Sequence, residues 1–459
     1  MEYIDFIEHK RVTVIPSGID VRTDQINKNL FDYQRDIVRW ALAKGKAALF
    51  EGCGLGKTLQ MLEWARHVHE YTGKPILILA PLSVAPQTVA EGIKFGITAK
   101  HCAQQSDVVN GINVTNYEKL DHFDASAFGG IVLDESSIIK SFTGKIKTKI
   151  FEAFKDTPFK LACTATPSPN DYMELANHAE FLGIMPRGEM LAMFFVHDGK
   201  ETSKWRLKGH ARDEYWLWVA TWAVMMQNPD DLGYDGSKFN LTPLNITQHA
   251  VITGKEQVHT LTEQRKASKE TLEARVNLCA DAVYDDLIND ANKWVIWCNL
   301  NAEQEMLEKV FKGLCVSISG SDSNEKKIER EKEWREGSIP ILITKPKCFG
   351  FGLNWQHCNN MAFVGLSHSF EAYYQAVRRC WRFGQENEVN VHVITSDMEG
   401  AIVENIQRKE EAFNFMLSGM ISATQEITKA NIESTKRMVD DYLPTEPIYI
   451  PSWLMSETA

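Results

Sequence analysis

The stretch Leu49 to Met61, LFEGCGLGKTLQM, decides how the first half of the chain is read. It joins a short apolar run, AALF (47–50), to a helical pattern, KTLQMLEWARHVHEY, through a turn holding Gly52, Gly54 and Gly56. A strand, a Gly-rich turn and a helix in that order present backbone N–H groups at a helix N-terminus, where hydrogen bonds and the helix dipole both favour an anion. Gly56, Lys57 and Thr58 fit the end of the common phosphate-loop pattern; Lys57 would bridge the β- and γ-phosphates of a nucleotide and Thr58 would ligate Mg2+. The leading Gly of that pattern is replaced by Glu51. A turn that only connects strand to helix is the plainer reading of this segment alone.

From about residue 45, short apolar runs alternate with longer helical patterns, the signature of parallel sheets covered by helices. The runs are AALF (47–50), ILIL (76–79), NVT (113–115), IVL (131–133) and KLAC (160–163), then WVIWC (294–298), VSI (316–318), ILIT (341–344), MAFV (361–364) and VNVHVI (389–394). The expected class is α/β, with two tandem parallel-sheet domains at 1–182 and 246–400, an insertion or bridge at 183–245, and a C-terminal helical extension and tail at 401–459. Within the bridge, WLWVATWAVMM (216–226) reads as a buried helix. The tail YLPTEPIYIPSW cannot continue a helix through its prolines.

Composition agrees with a soluble globular protein: 459 residues, 44% apolar and 24% charged, with no apolar run of the ~20 residues that cross a bilayer. The N-terminus MEYIDFIEHK lacks a basic segment followed by an apolar one, so a cytosolic location, in a bacterium or a host, is expected. Nine cysteines stand singly, with no CxxC pair and no zinc spacing, as reduced thiols do. A net charge of −11 argues against a protein that coats nucleic acid through overall charge, so any such contact is local.

Three further segments carry candidate chemistry. IVLDESS ends an apolar strand in Asp134 and Glu135, at the edge where ligands sit in open α/β sheets; Asp134 suits Mg2+ and Glu135 suits a base for the attacking water. LACTATPSPND ends another strand in Thr164, Ala165 and Thr166, hydroxyl residues able to relay the nucleotide state. YYQAVRRCWRFGQ places Arg379 and Arg382 three apart on one helix face, where cations from a second domain could stabilise a phosphoryl-transfer transition state. Taken singly, these segments also read as a helix cap, an ST-turn and a solvated basic face.

Taken in order, the segments resemble the superfamily 2 helicases and translocases, and within them the SWI/SNF-like branch, from about residue 30 to about 395. FDYQRDIVRWAL resembles the family's first segment, in which Gln34 would read the adenine. EGCGLGKT resembles that branch's own phosphate loop, which also lacks the leading Gly, with Gly54 and Gly56 kept. LILAPLSVAPQTVAE, NVTNYEKL, LDESSIIKS and TATPSPN are similar to the motifs that follow, with Pro81 in a loop expected to touch the nucleic-acid backbone and Ser137 in place of a frequent His. ILITKPKCFGFGLNW and QAVRRCWRFGQ resemble the last two motifs; they imply backbone contacts by Thr344 and Lys345, close approach at Gly350 and Gly352, and nucleotide-site roles for Gln375, Arg379 and Arg382. Compact proteins of this kind are often carried by bacterial viruses.

The resemblance implies two RecA-like lobes with ATP and Mg2+ in the cleft between them, and nucleic acid crossing both lobes on another face. The implied activity is a DNA-stimulated ATPase that translocates on DNA, duplex preferred, with strand separation or remodelling as further outcomes. The alternatives are an RNA helicase of the same superfamily, or a helicase-like scaffold in a replication or defence complex. No membrane partner is expected, replication or recombination proteins are candidate partners, and the chain should work as a monomer. Lys140, with Lys145, Lys147 and Lys149, forms one candidate phosphate-binding patch. Lys204, Arg206 and Lys208 in the bridge form another, with Trp205 as a stacking or wedge residue.

Overall fold

A computed structural model describes residues 17–82, 84–140, 144–168, 172–198, 201–258, 260–289, 292–349 and 354–440. The front lobe contains β1 (Lys46–Glu51), β2 (Ile76–Ala80), β3 (Ala99–His101), β4 (Ile112–Asn116), β5 (Gly130–Asp134) and β6 (Phe159–Thr164). A hairpin of β7 (Phe195–Asp198) and β8 (Glu201–Leu207) follows, then β9 (Ala223–Met226). The rear lobe contains β10 (Leu244–Val251), β11 (Trp294–Cys298), β12 (Cys315–Ser317), β13 (Ile341–Thr344), β14 (Asn360–Val364) and β15 (Val389–Ser396).

The front sheet runs β3-β4-β2-β5-β6-β1-β9 and the rear sheet β10-β15-β14-β11-β13-β12, with every pairing parallel. Strands such as ILILA in β2 are buried at every position because helices cover both faces, so they show no alternation. Register places the chemistry: Asp134 lies opposite Cys163, and Cys163 opposite Leu49. The acidic pair and the phosphate loop therefore leave the same sheet edge, two strand spacings or roughly 10 Å apart.

Two differences from the sequence expectation concern 183–245. The apolar run at 216–226 is not one helix: a helix, Arg212–Ala220, is followed by β9, which pairs with β1. The front sheet thus continues into the supposed bridge, and the rear sheet begins at Leu244. An all-buried helix and an all-buried strand have the same composition, so periodicity gave no signal between them.

The helix Gly400–Asp440, 41 residues and so about 60 Å long, crosses from one lobe to the other. In the rear lobe Phe413 packs on Phe370 and Tyr374, both at 5.5 Å between ring centres. Towards its other end the Asn431 amide donates to the Ala220 carbonyl at 3.0 Å, and Arg39 donates to the Thr435 carbonyl at 3.2 Å. Met420 and Leu417 join a core shared by Tyr215 and Trp218 of the front lobe and Phe363 and Phe370 of the rear lobe. The tail after residue 440 lies outside the described residues.

Candidate nucleotide and nucleic-acid clefts

A cleft of about 460 Å3 between the lobes is lined by Gln34, Gly54, Gly56, Lys57, Thr58, Asp134 and Glu135 from the front, and by Gln375, Arg378, Arg379, Arg382 and Phe383 from the rear. The helix Lys57–Thr72 opens beside the cleft at Gly56, with φ 74° and no side-chain cap, and an uncapped helix start of this kind favours an anion. Only glycine suits this turn: a Cβ on Gly56 would stand 2.4 Å from the Gln34 amide nitrogen. The Gln34 side chain braces the loop, donating to the Leu55 carbonyl at 2.9 Å and accepting from the Phe31 N–H at 2.9 Å. Lys57 folds onto its own loop, with Nζ donating to the Glu51 carbonyl at 2.8 Å and the Gly52 carbonyl at 2.9 Å.

Glu51, where the common pattern has Gly, is fully buried and accepts from Gln60 at 2.7 Å. Burial pushes its carboxyl up to about 7, against the pull of Lys57 and Gln60. Burial, with Glu135 adjacent, likewise raises Asp134 to about 7. Tyr117 donates to the Asp134 carbonyl at 2.6 Å, and Glu135 has φ 55°, a left-handed conformation costly for a residue with a side chain. Thr164 donates to the Glu135 carboxylate at 3.4 Å, which ties the third front-lobe motif to the candidate base.

The segment after these acids is held by helix Leu175–Leu182: Asn177 donates to the carbonyls of Ile139 and Lys140 at 2.8 and 2.9 Å, and His178 Nε2 lies 3.0 Å from the Ser136 hydroxyl. A histidine therefore stands beside the Asp-Glu motif although Ser137 replaces the usual one. It comes from a distant helix, which motif spacing does not reveal.

Arg379 is buried and Arg382 half-buried in the cleft wall, Arg379 lowered to about 9 by burial and by Arg382, and Arg382 lowered by desolvation. Buried cations and buried acids facing one space fit a triphosphate and a hard divalent cation. Asp134 and Thr58 are the residues that would hold Mg2+ beside the phosphates. Arg378 was not singled out in the sequence, yet its guanidinium donates to the Cys53 carbonyl at 3.2 Å. Its doublet with Arg379 was the available signal.

A second cleft, of about 580 Å3, is lined by Pro81, Tyr117, Ser137, Ile138 and Lys140 from the front lobe and by Asn324, Lys327, Lys347 and Glu371 from the rear. Lys140 forms an ion pair with Glu371 across it. Glu135 borders both clefts.

Other expected contacts fall elsewhere. Thr344 is fully buried and its hydroxyl donates to the Ile318 carbonyl at 3.1 Å, so its side chain is turned to the core; Lys345 pairs with Asn301. Trp205 is half-buried and lies against His197 at 3.7 Å between ring centres, which leaves it no free face as a wedge on that side. Lys208 donates to the carbonyls of Ala192 and Met193, at the end of helix Arg187–Phe194, while Arg206 is exposed; none of these three lines either cleft. The Lys204 side chain, Gly350 and Gly352 lie outside the described residues.

Among the described residues no helix is long and apolar enough to cross a membrane, and the nine cysteines are free. Residues 276–384 match the helicase conserved C-terminal domain. The chain is similar to putative protein p41 of Acyrthosiphon pisum secondary endosymbiont phage 1, at 24% identity over 84% of this chain and 98% of the relative. Among solved structures it is similar to the Sulfolobus solfataricus SWI2/SNF2 ATPase core in complex with dsDNA, at 18% identity, with 90% of this chain and 97% of that one covered and a TM-score of 0.42. The rear lobe thus contains a helicase conserved C-terminal domain, and its arginines face the Gly-rich loop and the Asp134–Glu135 pair of the front lobe across the first cleft.

Proposed function

We propose that the chain is a nucleic-acid-stimulated ATPase that translocates on DNA. The observation that carries this reading is the convergence of Lys57, Asp134 and Glu135 with Arg379 and Arg382 in one cleft between two lobes. A nucleotide binder without turnover has no need of cations from a second lobe; phosphoryl transfer does, because charge builds on the transferring group.

In this reading Lys57 releases its two loop carbonyls and turns to the β- and γ-phosphates. The loop N–H groups hold the phosphate oxygens. Glu135 orients and deprotonates the attacking water, and Thr164 reports its state to the rest of the front lobe. Arg379 and Arg382 reach the γ-phosphate only while the lobes are closed, which makes hydrolysis depend on closure. Thr58 and Asp134 would hold Mg2+, which would supply charge neutralisation at the phosphates.

The second cleft is the proposed nucleic-acid path, because it joins both lobes, carries Lys140, Lys327 and Lys347, and touches Glu135. DNA is preferred through the sequence resemblance of EGCGLGKT to the SWI/SNF-like branch. Both walls of each cleft come from one chain, which supports a monomeric motor.

The test is ATP hydrolysis with a panel of duplex DNA, single strands and RNA, beside a strand-displacement assay. Stimulation chiefly by DNA is expected. Stimulation chiefly by RNA would replace this reading with an RNA helicase, and absence of turnover with every nucleic acid would leave a scaffold.

A further inference from the structure

Arg378 is 8% exposed and lines the nucleotide cleft, yet among the described residues no carboxylate lies within ion-pair distance of it. Its Nε is buried without a hydrogen-bond partner. A buried guanidinium is ordinarily paired, since taking the charge out of water is expensive. What holds it instead is aromatic: the guanidinium lies 4.9 Å from the Trp381 ring centre and 5.8 Å from that of Tyr374. Trp381 is itself fixed, its indole N–H donating to the Thr242 carbonyl at 2.8 Å in the connector between the lobes.

Among the described residues, the acceptor that Arg378 reaches is the Cys53 carbonyl in the phosphate loop, 325 residues away in sequence. That carbonyl and the N–H of Gly54 belong to a single planar trans peptide and point in opposite directions. A donor on the carbonyl therefore fixes where the Gly54 N–H points. Gly54, with φ 91° and no side chain, allows that peptide orientations that other residues would not, so a donor on its carbonyl selects among them.

We propose that Arg378 is a positioning residue that ties the rear lobe to the phosphate loop and aims the Gly54 N–H, so that loop geometry and lobe closure change together. This rests on the ATPase reading above and adds to it a role distinct from that of Arg379 and Arg382. Those two act on the phosphates; Arg378 acts through the loop. A misaimed donor is felt most where charge develops in the transition state, so turnover should suffer more than binding.

Two readouts test it on the full chain. In Arg378→Ala, kcat for nucleic-acid-stimulated ATP hydrolysis should fall about tenfold or more while KM for ATP stays within about threefold. In the same variant without nucleotide, amide hydrogen exchange across residues 52–57 should speed up severalfold. Arg378→Lys keeps the charge but loses the planar fork and much of the stacking, and should show the same direction; it carries the test should the alanine variant lose its thermal transition. Unchanged exchange, or a raised KM with kcat intact, would overturn the proposal. If the wild-type chain hydrolyses no ATP, the ATPase reading falls, and the exchange measurement still decides whether Arg378 restrains the loop.

Discussion

Gly54 of the front lobe and Phe383 of the rear lobe meet so closely that a methyl on the glycine would stand 2.9 Å from both the Phe383 Cβ and its backbone nitrogen. The phosphate loop is thus packed against the rear lobe by backbone as well as by side chain. Gly54→Ala should lose roughly 100-fold in stimulated ATP hydrolysis, the scale of a misplaced catalytic group. Phe383→Ala should not rescue it, because the backbone nitrogen and the positive φ remain. Steady-state hydrolysis by the single and double variants checks both statements.

The proposed roles separate by kinetics. Lys57→Ala should impair nucleotide binding, read with a fluorescent ATP analogue. Glu135→Gln should bind that analogue normally and barely hydrolyse ATP. Arg382→Ala should bind it and lose about 10³-fold in turnover if it acts across the cleft as other trans arginines do. Brisk turnover by Glu135→Gln would remove Glu135 as the base.

These residues were legible because motifs record chemistry, whereas their surroundings were not. The strand Ile76–Ala80 announces itself as a continuous apolar run, and the order of motifs along the chain fixes the two lobes. The direction of the Thr344 side chain is not written in its motif, because a hydroxyl at a strand end can face either a ligand or the core, and here the Ile318 carbonyl claims it. Arg378 escaped notice because helical spacing pairs Arg379 with Arg382, while the chain leaves its helix at Val377 and turns the preceding arginine to the loop. Of the two charge patches in the sequence, the one at Lys140 borders the second cleft, whereas Arg206 and Lys208 of the bridge line neither; Lys327 and Lys347 reach it from a helix of mixed charge and a short segment whose facing the sequence does not record.

Removing those two lysines is the sharper test of the nucleic-acid path. Lys327→Ala combined with Lys347→Ala should raise the DNA concentration for half-maximal stimulation and reduce the salt dependence of binding by up to about two phosphate contacts. Unstimulated hydrolysis should be unchanged. A DNA titration at several salt concentrations reads all three, and an unaltered salt slope would move the path away from this cleft.

Glu51 makes a prediction about pH. Its folded-state carboxyl sits at about 7, above the ordinary carboxylate range, chiefly because it is buried. Between the unfolded value and 7 the native state holds a proton that the unfolded state releases, so this group's contribution to stability declines as pH rises through that window. Above 7 the full penalty applies, on the order of 3 kcal/mol. Glu51→Gln keeps the shape and removes the charge. Its melting temperature should fall less than that of the wild type between pH 5 and 8, as thermal unfolding across buffers would show.

The long C-terminal helix makes the last prediction. One hydrophobic core runs from Tyr215 and Trp218 in the front lobe through Met420 to Phe370 and Phe363 in the rear lobe, so apolar burial joins the lobes independently of any nucleotide. Met420 is fully buried at that junction, and Met420→Ala should cost about 2–5 kcal/mol by leaving a cavity. The form of the loss matters more than its size. Each lobe has its own sheet and a second core face, so weakening only the junction should split a single thermal transition into two rather than lower both together. Calorimetry distinguishes the outcomes: one transition shifted intact would mean that the lobes are coupled through the clefts, and two would mean that the helix is what makes them melt as one.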